Sequence, residues 1–156
     1  MPTTQALHPS SHAHPLSRWA VVGFLAGAVS VLIFHQGVVM IFHAMELTSR
    51  QAYNLQATPP FGVPQVWSLA FWGGVWGVVL ALLLARMETA RLLVAATLFG
   101  AVLPTLVAWF VVAPLKGQPL GGGFAATGIA LALVANGLWR LGTGLGLALF
   151  GRRRRD

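Results

Sequence analysis

The chain has 156 residues, of which 56% are hydrophobic and only 8% charged, with a mean hydropathy of +0.74 and a formal net charge of +7. A water-soluble domain carries about 25% charged residues, so this composition excludes one and points to a single lipid-embedded domain. There is no cysteine, which excludes disulfides, thiolate metal sites, cysteine nucleophiles and c-type haem attachment.

Residues 1–18 are rich in His, Pro and Ser and show no hydrophobic period, so a disordered tail is expected. His8, His12 and His14 lie in it, but a metal site needs preorganised ligands, and a flexible polar tail is the plainer reading. No secretory signal is expected, because the first apolar run is too long for an h-region and no A-x-A-like site follows it.

The first span is predicted from Trp19 to Met45. The loop that follows contains Glu46 and Arg50, spaced for an i,i+4 ion pair, and Thr48 or Ser49 at the start of an expected short helix through Gln56. The proline-rich run Thr58-Pro59-Pro60-Phe61-Gly62-Val63-Pro64 cannot be helical and should pack across the mouth of a bundle. The second span is predicted from Val66 to Ala85, the third from Leu92 to Ala113. A very short link joins them, which makes antiparallel neighbours. Within that link Glu88 and Thr89 suit a helix N-terminus and Arg86 a helix C-terminus. The loop from Pro114 to Pro119 precedes Gly121, Gly122 and Gly123. The fourth span is predicted from Phe124 to Phe150, and residues 151–156 form a basic tail. Each run meets the length of about 20 residues that a membrane helix needs. The fold expected is an all-α four-helix transmembrane bundle.

The basic residues set the expected orientation. With both termini in the cytoplasm, that side holds Arg18, Arg86, Arg91 and Arg152–Arg155, against Arg50 and Lys116 opposite. In a soluble protein the arginine block would suggest nucleic acid. Here it reads as a topology anchor and an attraction to anionic lipid, and no nucleic-acid partner is expected.

Small residues recur four apart at Gly23 and Gly27, at Gly73 and Gly77, and at Gly142 and Gly146, a spacing that lets helix backbones approach in lipid. Pro104 lies inside the third span and cannot donate to the Gly100 carbonyl, so a kink is expected there, static or a hinge.

The polar residues inside the spans carry the functional question. On the first span these are His35, Gln36 and, further along, His43, with Glu46 just past its end at the outer edge. On the fourth, Asn136, Arg140 and Thr143 share a face. If the two spans are neighbours, His35 and Gln36 lie level with Asn136, and Ser30 with Arg140. Three readings compete. In the first, interhelical hydrogen bonds and a snorkelling Arg140 hold the bundle together. In the second, the cluster is a pathway or site for a proton, ion or small anion, with His35 exchanging protons and Arg140 holding an anion, though no intramembrane carboxylate accompanies them. The third is a cofactor or catalytic site. His35 or His43 could ligate haem, but both lie on one helix, and His43 with Glu46 is a weak metal pair. No cofactor and no catalytic residue is expected.

The stretch Thr58 through Gly74, with Leu103-Pro104-Thr105 through Val111-Val112-Ala113-Pro114-Leu115-Lys116-Gly117, resembles a family of small four-span bacterial inner-membrane proteins to which no activity is attached. The resemblance implies a bacterial inner-membrane location. Together these readings point to a non-enzymatic accessory or self-associating subunit, with lipid and a membrane-protein partner or a second copy as its contacts. The alternative is a small transporter or channel built on His35, Gln36, Asn136 and Arg140.

Overall fold

The computed structural model describes residues 15–59, 61–84 and 87–151. The histidine-rich stretch 1–14, Arg86 and the C-terminal arginines lie outside them. Four helices are long and apolar enough to cross a membrane: span 1 (Ser17–Ala44), span 2 (Gln65–Leu84), span 3 (Thr89–Leu115) and span 4 (Ala126–Gly151). Spans 1, 3 and 4 each contain one wider π-turn, at Val31–His35, Ala108–Val112 and Leu147–Gly151. The protein is thus the expected four-helix membrane bundle.

The glycine pairs decide which helices touch most closely. A Cβ at Gly23 would lie 2.6 Å from the Gly77 carbonyl oxygen, and one at Gly27 or Gly77 would overlap the facing backbone. Spans 1 and 2 therefore meet backbone to backbone along Gly23, Gly27, Gly73 and Gly77. Gly142 faces Ser30 and Phe34, and Gly146 faces Ala26, which joins span 4 to span 1. Span 3 packs closely on span 4, where Gly144 sits against Leu93 and Ala96. The chain runs up, down, up, down, and Arg18 reaches the Phe150 carbonyl at 3.1 Å, so both ends of the helical region lie at one end of the bundle.

Spans 2 and 3 follow each other through the short link yet stand apart at backbone level. Large side chains fill the interval. Near the link, Leu80, Ala81, Leu92, Ala96 and Leu147 form one apolar core. Towards the other end, Val38, Val39, Leu131 and Ala135 form a second. Between these cores lies a layer of buried polar groups: Ser30, Thr105, Arg140 and Thr143.

The loop between spans 1 and 2 departs from expectation. Thr48 to Gln56 is not helical. Asn54 accepts the Gln56 N–H on its side chain at 2.8 Å, and the Tyr53 N–H is taken by the Gln36 side chain at 2.7 Å. The local Asn54 bond and the longer-range Gln36 bond take up N–H groups that a helix would use, and Glu46 and Tyr53 both adopt positive φ, which ends a helix rather than starting one. Glu46 and Arg50 form no ion pair with each other. The proline-rich run makes a two-rung hairpin, β1 (Ala57–Thr58) against β2 (Val63–Pro64), with Gly62 at φ 68 in its turn. In the loop after span 3, Gly121, Gly122 and Gly123 all have positive φ, a conformation that glycine tolerates and side chains resist. Glu88 stands at the N-cap of span 3, where its exposed carboxylate lies 3.9 Å from Arg91.

Candidate functional site

Arg140 stands near the middle of span 4 and is fully buried. Its head does not snorkel to the membrane surface. The guanidinium lies over the Trp139 ring, 3.9 Å from the ring centre, with the Trp76 ring at 5.7 Å and the Phe99 ring at 5.8 Å. Trp76 and Phe99 are themselves edge to face, at 6.1 Å between centroids. The cation is thus boxed by aromatic rings from spans 2, 3 and 4.

Gly100 makes the box feasible. A Cβ there would occupy the space taken by the Arg140 stem and would also crowd the Asn136 carbonyl. Pro104, one turn further on, supplies no N–H to the Gly100 carbonyl, so the wall beside the arginine is a helix lacking one of its bonds. Thr105 follows and is buried, and the Asn136 amide donates to its hydroxyl at 2.8 Å. The proline, the glycine and the threonine on span 3 are thereby matched to Arg140 and Asn136 on span 4.

All three guanidinium nitrogens of Arg140 lack a hydrogen-bond partner among the described residues. Placing an arginine at the centre of a membrane helix costs about 2.5–3.5 kcal/mol on insertion scales. A desolvated cation–π contact returns about 2 kcal/mol. Stacking on Trp139, helped by the two more distant rings, is therefore of the right size to hold a charge there, and the donors remain unused.

Trp139 is the link to span 1. Its indole N–H donates to the Gly27 carbonyl at 2.9 Å, inside the glycine contact of spans 1 and 2. Its own carbonyl accepts the Ser30 hydroxyl at 2.5 Å and the Thr143 hydroxyl at 2.9 Å. Ser30 does lie at the depth of Arg140, but it bonds the neighbouring backbone.

His35 and Gln36 belong to another cluster. The Gln36 amide nitrogen is 3.5 Å from His35 Nδ1. Its amide oxygen accepts the Tyr53 N–H, and the Tyr53 hydroxyl donates to the Leu32 carbonyl at 2.8 Å. That carbonyl is released by the π-turn, because the Gln36 N–H points to Val31 and Ile33 instead. The structure pairs Asn136 with Thr105 and Gln36 with Tyr53; no hydrogen bond joins the two sets among the described residues. His43 Nδ1 donates to the Thr48 carbonyl, 3.1 Å away, and Glu46 is exposed. No group of three His, Cys, Asp or Glu suited to a metal occurs among the described residues.

Sequence reasoning finds neither Tyr53 nor Phe99, and it assigns no part in the site to Gly100 or to Trp76, which belongs to an aromatic stripe with Trp72 that reads as packing or lipid contact. The signal available for Gly100 was its place four residues before Pro104. For Tyr53 there was none beyond its being the one tyrosine.

No protein-family model, no curated protein and no solved structure matches this chain.

Proposed function

We propose that this protein is a non-enzymatic subunit of the bacterial inner membrane, with both termini in the cytoplasm, and that it acts by assembling with another membrane protein or with itself. The observation that carries this reading is the enclosure of Arg140 by Trp139, Trp76 and Phe99. A transport route or an active site needs its polar groups to face a cavity. Here the polar side chains at mid-depth face other helices, and Asn136, Gln36 and Ser30 already hold interhelical or loop-to-helix bonds. What the bundle offers to the outside is its lipid-facing apolar surface and its loops. The termini follow the excess of basic residues at their end.

The second reading is a small transporter or channel for a proton, ion or small anion. One observation favours it: a cation at mid-depth whose three nitrogens have no hydrogen-bond partner among the described residues. The two are separated by extracting the protein from its native membrane in mild detergent and weighing the intact complex by mass spectrometry. A stoichiometric second subunit or a defined homo-oligomer supports assembly. A bare monomer, together with anion flux in proteoliposomes that Arg140→Leu abolishes, would overturn it in favour of transport.

A further inference from the structure

At the end of the bundle away from Arg18 and Phe150, two loops distant in sequence enclose a polar recess of about 430 Å³. The loop after span 1 supplies Arg50, Gln51 and Asn54, the start of span 2 supplies Gln65, and the loop after span 3 supplies Lys116 and Gln118. No carboxylate lines it. The chain has only three acidic residues, Glu46, Glu88 and Asp156, and neither Arg50 nor Lys116 takes part in an ion pair among the described residues.

The backbone around the recess is tied down. The Arg50 N–H donates to the Thr48 hydroxyl at 3.2 Å. Asn54 is held twice, through its side chain to the Gln56 N–H and through its carbonyl to the Val66 N–H at 3.0 Å. The Gln65 N–H bonds the Gln56 carbonyl, and the Lys116 and Gln118 N–H groups both return to Ala113. Two cations brought together without a counter-charge repel each other. The arrangement becomes favourable when an anion sits between them, and the surrounding amides supply further donors.

We infer that this recess binds a phosphate group, held by Arg50 and Lys116 and hydrogen-bonded by the amides of Gln51, Asn54, Gln65 and Gln118. Its volume exceeds what bare phosphate needs and admits an attached glycerol- or sugar-sized group. The site lies where span 2 begins, with the exposed Trp67 two residues on, a position in which indole rings mark the level of lipid headgroups. The phosphate can therefore come from a lipid headgroup or from solution. This inference stands independently of the assembly reading.

The test uses the full chain purified in a neutral detergent. Native mass spectrometry is run with phosphatidylglycerol and with phosphatidylcholine, and calorimetry with inorganic phosphate. The double variant Arg50→Gln/Lys116→Gln is compared with Arg91→Gln, which alters a basic residue at the opposite end. Each altered side chain is exposed, so thermal stability should be unchanged and is checked. The expected result is one bound phosphate species per chain, weakened about tenfold or more in the double variant, as loss of charge-assisted bonds requires, and unaffected by Arg91→Gln. Binding of phosphatidylglycerol without free phosphate assigns the site to a lipid headgroup, and binding of inorganic phosphate assigns it to a soluble anion. No binding in any arm, or equal binding by the double variant, overturns the inference.

Discussion

The Tyr53 hydroxyl donates to the carbonyl oxygen of Leu32, the oxygen that the π-turn of span 1 leaves without its usual helical N–H. With the Tyr53 N–H bound to Gln36, this fastens the long loop onto the membrane helix at two points. Tyr53→Phe keeps the ring and removes one bond. The expected cost is about 1 kcal/mol, read as a lower unfolding midpoint in detergent. Amide hydrogen exchange should rise through the loop around Tyr53 and at the π-turn, and not in span 3.

Gly100 and Arg140 form a size-matched pair, which makes a double-mutant cycle decisive. Gly100→Ala alone should destabilise by about 1–3 kcal/mol through overlap with the arginine stem. The same change in an Arg140→Ala background should cost far less, giving a large coupling energy. Equal costs in both backgrounds would mean that the stem does not occupy this space.

Arg140→Met fills a similar volume without the charge. A buried, unpaired cation replaced by an apolar side chain should leave stability equal or raise it by about 1–4 kcal/mol. Arg140→Lys should be worse than Met, because an ammonium lacks the flat face that stacks on Trp139. The check is the thermal midpoint of the three proteins in one detergent. A marked loss of stability in the Met variant would show that the guanidinium donors have partners in the membrane.

The bond from Asn136 to Thr105 crosses between spans 4 and 3. A cycle of Asn136→Leu and Thr105→Val should give a coupling of about 0.6 kcal/mol, and no more than about 1.7, since hydrogen bonds between membrane helices are modest. Unfolding in mixed micelles measures it.

The glycines of the helices should divide sharply. Gly27→Leu or Gly77→Leu drives a side chain into facing backbone and should disrupt the bundle. Gly128→Ala meets open space and should be neutral or slightly stabilising, because alanine is the better helix former. Resistance to mild heating in detergent reads both.

Much of this was legible without coordinates. The number of spans follows from length and apolarity along the chain, since a helix in lipid must satisfy its own backbone. The glycine spacing pointed to close backbone approach, and Gly23, Gly27, Gly73 and Gly77 meet one another. Ser30 lies level with Arg140, as the rise per residue along the two helices implies. What the residues of spans 1 and 4 did not reveal is that their polar groups separate, Gln36 turning to Tyr53 and Asn136 to Thr105. Nor did any local pattern show that Arg140 would stack on its own neighbour Trp139 and meet Trp76 and Phe99.

The sequence by itself determined the membrane-spanning class, four helices and their alternating direction, because those depend on runs of about 20 apolar residues, each of which crosses the bilayer and reverses the chain. Only the tertiary structure decided that spans 1 and 2 and spans 3 and 4 form the tight pairs, that an aromatic box surrounds Arg140, and that Arg50 and Lys116 share a recess. Apolar residues line these helices on nearly every side, so hydropathy does not choose a helix's rotation or its partner. That choice is made by close packing of small and large side chains across the bundle, a sum over all four helices together.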